Sequence, residues 1–296
     1  MSATGARTAL DEMGAKGEFK RKDSAFRDIV QKGGRFKPEA GRYHLYVSLA
    51  CPWACRCVAV MHMKGLQDVV GLSVSHPTWQ HTRPGQDEHC GWAFASPGDP
   101  PLSSSTGQGS FDCADCIPDT VNGAKFVRDL YALSHDTSGK YSVPVLWDKK
   151  EKCVVNNESS EILRMFNSEF NELSSAPDLD LYPADLRAKI DEINDWVYPT
   201  INNGVYRCGF ATSQEAYETA FDELFAALDR VEGILGQQRY LAGDVLTEAD
   251  IRLFMTLIRF DEVYVVYFKT NKAFIHEYPN LRGYVQDLYQ TPGTPA

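Results

Sequence analysis

The chain has 296 residues, 43% of them apolar and 24% charged, with a net charge of −10. That length favours two domains over one and is enough for a sizeable core. The acidic balance excludes broad nucleic-acid binding, which needs a basic surface; the densest apolar run, Val263 to Phe268, is far short of a membrane span.

Residues 1–42 mix glycines and basic residues without a period, and are expected as an extended arm anchored by Phe26, Ile29, Val30 and Phe36. This start carries no apolar segment of the secretory type, and Asp11 and Glu12 weaken an organelle transit reading. The eight cysteines are therefore expected as free thiols in the cytoplasm.

Tyr43 to Ala50 reads as a buried strand. From Pro52, residues Ala54, Cys57, Val58 and Met61 recur at the spacing of a helix face, and Gly65 ends that helix. Val69 to Val74 reads as a second strand, completing a βαβ unit. Cys51 stands at the junction, before a proline suited to the first helical position. There the helix dipole and its unpaired N–H groups favour negative charge, so a thiol is expected to be acidified into a nucleophile. The other reading of Cys51 is a small buried apolar residue.

Residues 76–121 are rich in Pro, Gly, Ser and Asp and read as a long irregular insert, functional or mobile. Trp92, within Gly91 to Phe94, either plugs this insert onto the core or covers a ligand. Cys113 and Cys116 form a CxxC; with no second pair it is a weak zinc signal, and a surface thiol pair is expected. Residues 122–134 are predicted helical. Tyr141 to Trp147 is a strand with Pro144 inside it, which a cis Val143–Pro144 bond at the strand entry would accommodate. Cys153 to Val155 pairs back as a hairpin. Asn157 to Leu163 opens a helix whose polar start can cap orphan N–H groups or accept a ligand carboxylate. This order of elements over 43–170 is that of a thioredoxin-like domain.

A polar linker, 171–183, leads to an all-helical region, 184–296. Helices are predicted over 184–202, 214–235, 251–260 and 280–290. Tyr217, Phe221, Leu224, Leu228, Val231 and Leu235 make one stripe of the second. Thr247 to Asp250 is a capping-box-like start for the third.

A thioredoxin-like domain followed by an all-α domain resembles the glutathione transferases. Cys51-Pro-Trp-Ala54 resembles their cysteine-type branch. Ser24-Ala-Phe-Arg27, Gly91-Trp-Ala-Phe94 and Val143-Pro-Val-Leu-Trp-Asp148 fit the xi class. So do Asn202-Asn-Gly-Val-Tyr206, Gly209-Phe-Ala211, Asp250-Ile-Arg-Leu-Phe254 and Arg259-Phe-Asp-Glu-Val-Tyr264 followed by Phe268-Lys269. The set, spread over residues 18–293, resembles the glutathionyl-hydroquinone reductases. One departure stands inside the first motif: the family usually has His where this chain has Cys55, a residue that either resolves a mixed disulfide or packs.

The resemblance implies a homodimer with glutathione as co-substrate and no metal. It implies Cys51 as the nucleophile, and Ser159 and Glu158 as the holders of the γ-glutamyl end of glutathione. Val143 then offers backbone hydrogen bonds to the cysteinyl part, Trp92 lies over the tripeptide, and Arg128 takes the glycyl carboxylate unless it is a solvated helix charge. Tyr206 and Tyr264, with Tyr198 and Tyr289 behind them, are candidates for the aromatic substrate. The implied reaction is removal of glutathione from a glutathionyl-hydroquinone through a Cys51 mixed disulfide. The competing readings are an omega-like thiol transferase or dehydroascorbate reductase, and a non-catalytic ligand binder on the same fold.

Overall fold

The computed structural model describes residues 12–105 and 107–292. The chain divides into two units, one of Lys22–Pro177 with Glu12, the other of Met13–Arg21 with the residues from Asp178 onward. The arm expected over 1–42 is thus shared between them, and residues 1–11 of that expectation lie outside the described residues.

In chain order the first unit holds β1 (Tyr43–Ser48), α1 (Pro52–Met63), β2 (Gly71–Ser75), β3 (Trp79–His81), β4 (Cys90–Trp92), β5 (Leu102–Ser103) and β6 (Ser110–Phe111). It continues with α2 (Val127–Leu133), β7 (Val145–Asp148), β8 (Cys153–Asn156) and α3 (Ser159–Ser168). The main sheet has the order β2-β1-β7-β8. β1 is parallel to β2 and antiparallel to β7, which is antiparallel to β8. Every residue of β1 is buried, as its central place demands. Gly65, at φ +61, follows the end of α1 as its place in the sequence predicts.

Both outer strands are covered, so neither presents a bare row of backbone groups. On β8, Asp28 N–H donates to the Val155 carbonyl at 3.1 Å and Asn157 N–H to the Phe26 carbonyl at 3.1 Å. Val30 and Phe36 are buried and Phe26 lies edge-on to Tyr131 at 5.7 Å, whereas Ile29 is exposed and does not anchor the arm. On β2, Val74 and Ile117 exchange both backbone bonds at 3.0 Å. Tyr46 then donates its hydroxyl to Asp119 at 2.8 Å, and Asp119 also accepts the N–H groups of Val121, Asn122 and Ala124.

The insert is more ordered than its composition predicts. β3 pairs with β4 and β5 with β6, both antiparallel, and Ala95, Cys113 and Cys116 make a small core with Leu102 against it. This corrects the surface placing of the CxxC: Cys113 is 1% and Cys116 3% exposed, because the insert folds over them. Burial pushes the Cys116 thiol up to about 11.

The second unit holds α4 (Arg187–Val197), a π turn (Tyr198–Asn202), α5 (Gly204–Gly209), α6 (Gln214–Leu235), α7 (Glu248–Leu257), a second π turn (Phe260–Tyr264), α8 (Val265–Tyr267) and α9 (Pro279–Gln290). The helix predicted over 184–202 is therefore shorter. Pro199 lacks an N–H for the α ladder, and the chain widens there, with Asn203 N–H reaching back to the Tyr198 carbonyl at 2.8 Å. All ten residues of α7 are buried, so it is the centre of the unit. Among the described residues no helix is long and apolar enough to cross a membrane.

The capping box at α7 is present. The fully buried Asp250 carboxylate accepts from Thr247 N–H (2.9 Å) and Oγ1 (3.0 Å), Leu241 N–H (2.8 Å) and Tyr284 hydroxyl (2.8 Å). Asp250→Ala leaves those donors buried and unpaired. The expected cost is about 3 kcal/mol, read as a lower denaturant midpoint of the helical signal in circular dichroism.

Candidate active site

β1 delivers the chain to Cys51, and Pro52 starts α1 immediately after it. Cys51 is the N-cap, with extended backbone (φ −98, ψ 114). Its N–H donates to Ser48 at 3.0 Å and its carbonyl accepts from Cys55 N–H at 3.0 Å. The side chain is half-buried, and Sγ lies 3.6 Å from the Val143 carbonyl. The Val143–Pro144 bond is cis, as its place before β7 predicts. The positive end of the twelve-residue α1 dipole is therefore at the sulfur's own residue.

The neighbouring thiols are placed differently. Cys55 is 8% exposed and its Sγ lies 3.3 Å from the Leu49 carbonyl. Cys57 is fully buried, 3.7 Å from the Ser159 carbonyl, and burial raises its thiol far above the usual range. Cys90, Cys113, Cys116 and Cys208 are also buried, and Cys153 is half-buried. All eight cysteines are free thiols. Arg56 is 1% exposed on α1, with its Cζ 5.7 Å from the Trp53 ring.

The start of α3 is built from the arm and β8 together. Glu158 is the N-cap and accepts from Ser160 N–H (3.1 Å) and hydroxyl (3.0 Å). Ser24 donates to its other carboxylate oxygen at 3.1 Å. Asn157 accepts the Phe26 N–H at 3.0 Å and donates to the Tyr131 hydroxyl at 2.9 Å. Ser159 is 2% exposed, and its Oγ has no hydrogen-bond partner among the described residues. A buried polar atom left so is uncommon, and here it stands at a helix N-terminus.

Trp92 closes β4 opposite Trp79, with ring centroids 5.5 Å apart at 77°, and is half-buried. Arg128 is paired within the protein. The residue is 9% exposed, and its guanidinium is forked onto Asp87, at 2.9 Å to Oδ1 and 2.6 Å to Oδ2, with Thr82 Oγ1 at 2.8 Å. The bond from Arg128 holds Asp87 at about 2. Arg128 is thus not a solvated charge, and a glycyl carboxylate binding it would have to displace or share that bidentate pair.

In the helical unit, two of the four candidate tyrosines come together. The Tyr206 ring on α5 lies 6.0 Å from Tyr264 and from Phe210, and 5.0 Å from Phe268. Gly209 makes the packing possible, since a Cβ there would come within 2.5 Å of the Phe268 ring. Arg21, from Met13–Arg21 and without any signal in the sequence, lies over Tyr206 with Cζ 5.1 Å from its centroid. Tyr198 begins the π turn before α5. Tyr289 is 51% exposed near the end of α9, outside the ring cluster.

Comparison with known proteins identifies the family. Residues 50–169 match the family profile "Glutathione S-transferase, N-terminal domain", and residues 214–287 match "Glutathione S-transferase, C-terminal domain". The chain is 45% identical to the glutathionyl-hydroquinone reductase YqjG of Escherichia coli, over 97% of this chain and 83% of that protein. It is 44% identical to the glutathionyl-hydroquinone reductase PcpF of Sphingobium chlorophenolicum, over 94% of this chain and 80% of that one. The crystal structure of the xi glutathione transferase of Phanerochaete chrysosporium superposes with a TM-score of 0.82 at 49% identity, covering 93% and 87% of the two chains. The glutathione-bound structure of YqjG gives 0.78 at 45% identity, covering 91% and 83%. The chain belongs to the glutathione transferase family, in the xi class of the glutathionyl-hydroquinone reductases.

Proposed function

We propose that the chain is a glutathione-dependent reductase that removes glutathione from glutathionyl-hydroquinones. The observation that carries this reading is Cys51, a half-buried thiol at the N-cap of α1 beside the carbonyl that precedes a cis proline. A serine or tyrosine at that place would activate glutathione for conjugation; a cysteine can itself form a disulfide with it.

The reaction balances as follows. The ring carbon bearing sulfur takes a proton, giving the ketonic tautomer of the substrate. The Cys51 thiolate attacks the glutathione sulfur, and the S–S bond forms as the C–S bond breaks. The C–S electron pair passes through the ring to the carbonyl oxygen, which leaves as a hydroquinone oxyanion and is protonated. The two sulfurs are oxidised to a disulfide and the ring carbon is reduced. A second glutathione thiolate attacks the mixed disulfide, releasing glutathione disulfide and the Cys51 thiolate.

In this reading Ser159 and the N–H groups of α3 receive the γ-glutamyl carboxylate, and Glu158 the amine. The orphan Ser159 hydroxyl supports that role. Val143 offers its backbone to the cysteinyl part, and Trp92 lies over the tripeptide. Tyr206 and Tyr264 are assigned to the aromatic ring, and their shared cluster supports the pairing. The resemblance carries with it a cytoplasmic homodimer, checked by light scattering of the purified chain and by imaging of a tagged one.

Mixing the protein with a glutathionyl-hydroquinone is expected to place one glutathione adduct on Cys51, visible by mass spectrometry and cleared by free glutathione. Full turnover of that substrate by Cys51→Ser would sink the mechanism. Ser159→Ala is expected to raise KM for glutathione about fivefold, the equivalent of one lost hydrogen bond near 1 kcal/mol. Steady-state kinetics at varied glutathione checks this.

A further inference from the structure

We propose that Arg21 is a positioning residue for the ring end of the reaction, holding Tyr206 and setting a positive field where the hydroquinone oxygen takes up charge. The inference rests on the proposed function and on the place of Tyr206 in it.

The geometry is specific. The guanidinium carbon lies 5.1 Å from the Tyr206 centroid and 5.2 Å from that of Phe19. Its Nε donates to Asn203 Oδ1 at 3.1 Å, on the residue that caps α5. The segment that carries it is pinned. Thr212 N–H donates to the Gly17 carbonyl at 2.9 Å, and Ser213 Oγ to the Lys16 carbonyl at 2.8 Å. Phe19 packs on Phe210 at 5.5 Å, and Phe210 lies against Tyr206. A permanently charged planar group is thus set against an aromatic stack, where a cation is screened less than in water.

The chemistry supplies a use for it. The C–S electron pair ends as negative charge on a ring oxygen, and charge that develops during a step is what a fixed cation stabilises. Arg21 acts through Tyr206: it orients the phenol that meets the oxygen and makes that phenol a better donor. The alternative is a strap, with Arg21 merely tying the arm to α5. A strap has no reason to depend on the acidity of the leaving hydroquinone.

The test uses the full chain with Arg21→Met and Arg21→Lys. The substrates are a series of glutathionyl-hydroquinones of graded hydroquinone acidity and the mixed disulfide of glutathione with 2-mercaptoethanol. Arg21→Met is expected to lower kcat on the order of tenfold to a hundredfold for the least acidic hydroquinone, with smaller losses as acidity rises. KM for glutathione and turnover of the mixed disulfide are expected to hold, and Arg21→Lys to recover part of kcat. The same fold-loss on every substrate, mixed disulfide included, would leave only the strap and overturn the inference. So would unchanged kcat across the series. Parent protein that turns over the mixed disulfide but no glutathionyl-hydroquinone would overturn the proposed function itself, which is a different result.

Discussion

One carbonyl sets where the Cys51 sulfur stands. Tyr46 pairs with Val145 across β1 and β7, and that register brings the residue preceding Pro144 level with the end of β1. Three residues beyond Ser48 the chain turns into α1, and the Cys51 thiol meets the Val143 oxygen at 3.6 Å. The meeting depends on pairing between strands nearly a hundred residues apart in sequence. A slip of one residue would reverse every side chain of β7 and carry Val143 away with it. The burial of β1 on both faces and the cover over both outer strands oppose such a slip.

The start of α3 depends on the same logic. Its capping carboxylate, Glu158, is local in sequence, but what steadies it comes from the arm: Ser24 on Glu158 itself and Phe26 on Asn157. A helix N-terminus recruits an anion only when its N–H groups are held open toward one. Here the distant arm holds it in shape, and the Ser159 hydroxyl has no hydrogen-bond partner among the described residues.

Much of this was legible in the sequence because it is local. The span of α6, the capping box of α7, the cysteine and proline opening α1 and the cis proline before β7 each rest on neighbouring residues. What depended on partners far along the chain was not legible. The insert looked structureless because its pairs are short and its core is a few residues, Cys113 and Cys116 among them. Nothing around Arg128 in sequence names its partner Asp87. Arg21 gave no sign of Tyr206 for the same reason. The shortened α4 is a different case, since its cause, Pro199, lies within the predicted helix itself.

The distribution of thiols has a consequence for survival among electrophiles. Hydroquinones interconvert with quinones, soft acceptors that arylate thiolates, and a cysteine-rich chain working beside them risks being titrated by its own substrate pool. Six of the eight sulfurs are buried. Burial also keeps the Cys57 and Cys208 thiols protonated, the latter pushed up to about 12, and raises the half-buried Cys153. A thiol that stays protonated is a poor nucleophile, so these sites are shielded twice, by access and by charge state. Cys51 is left half-buried at a helix's positive end, so in the proposed mechanism arylation is confined to the position where the reaction needs the same exposure.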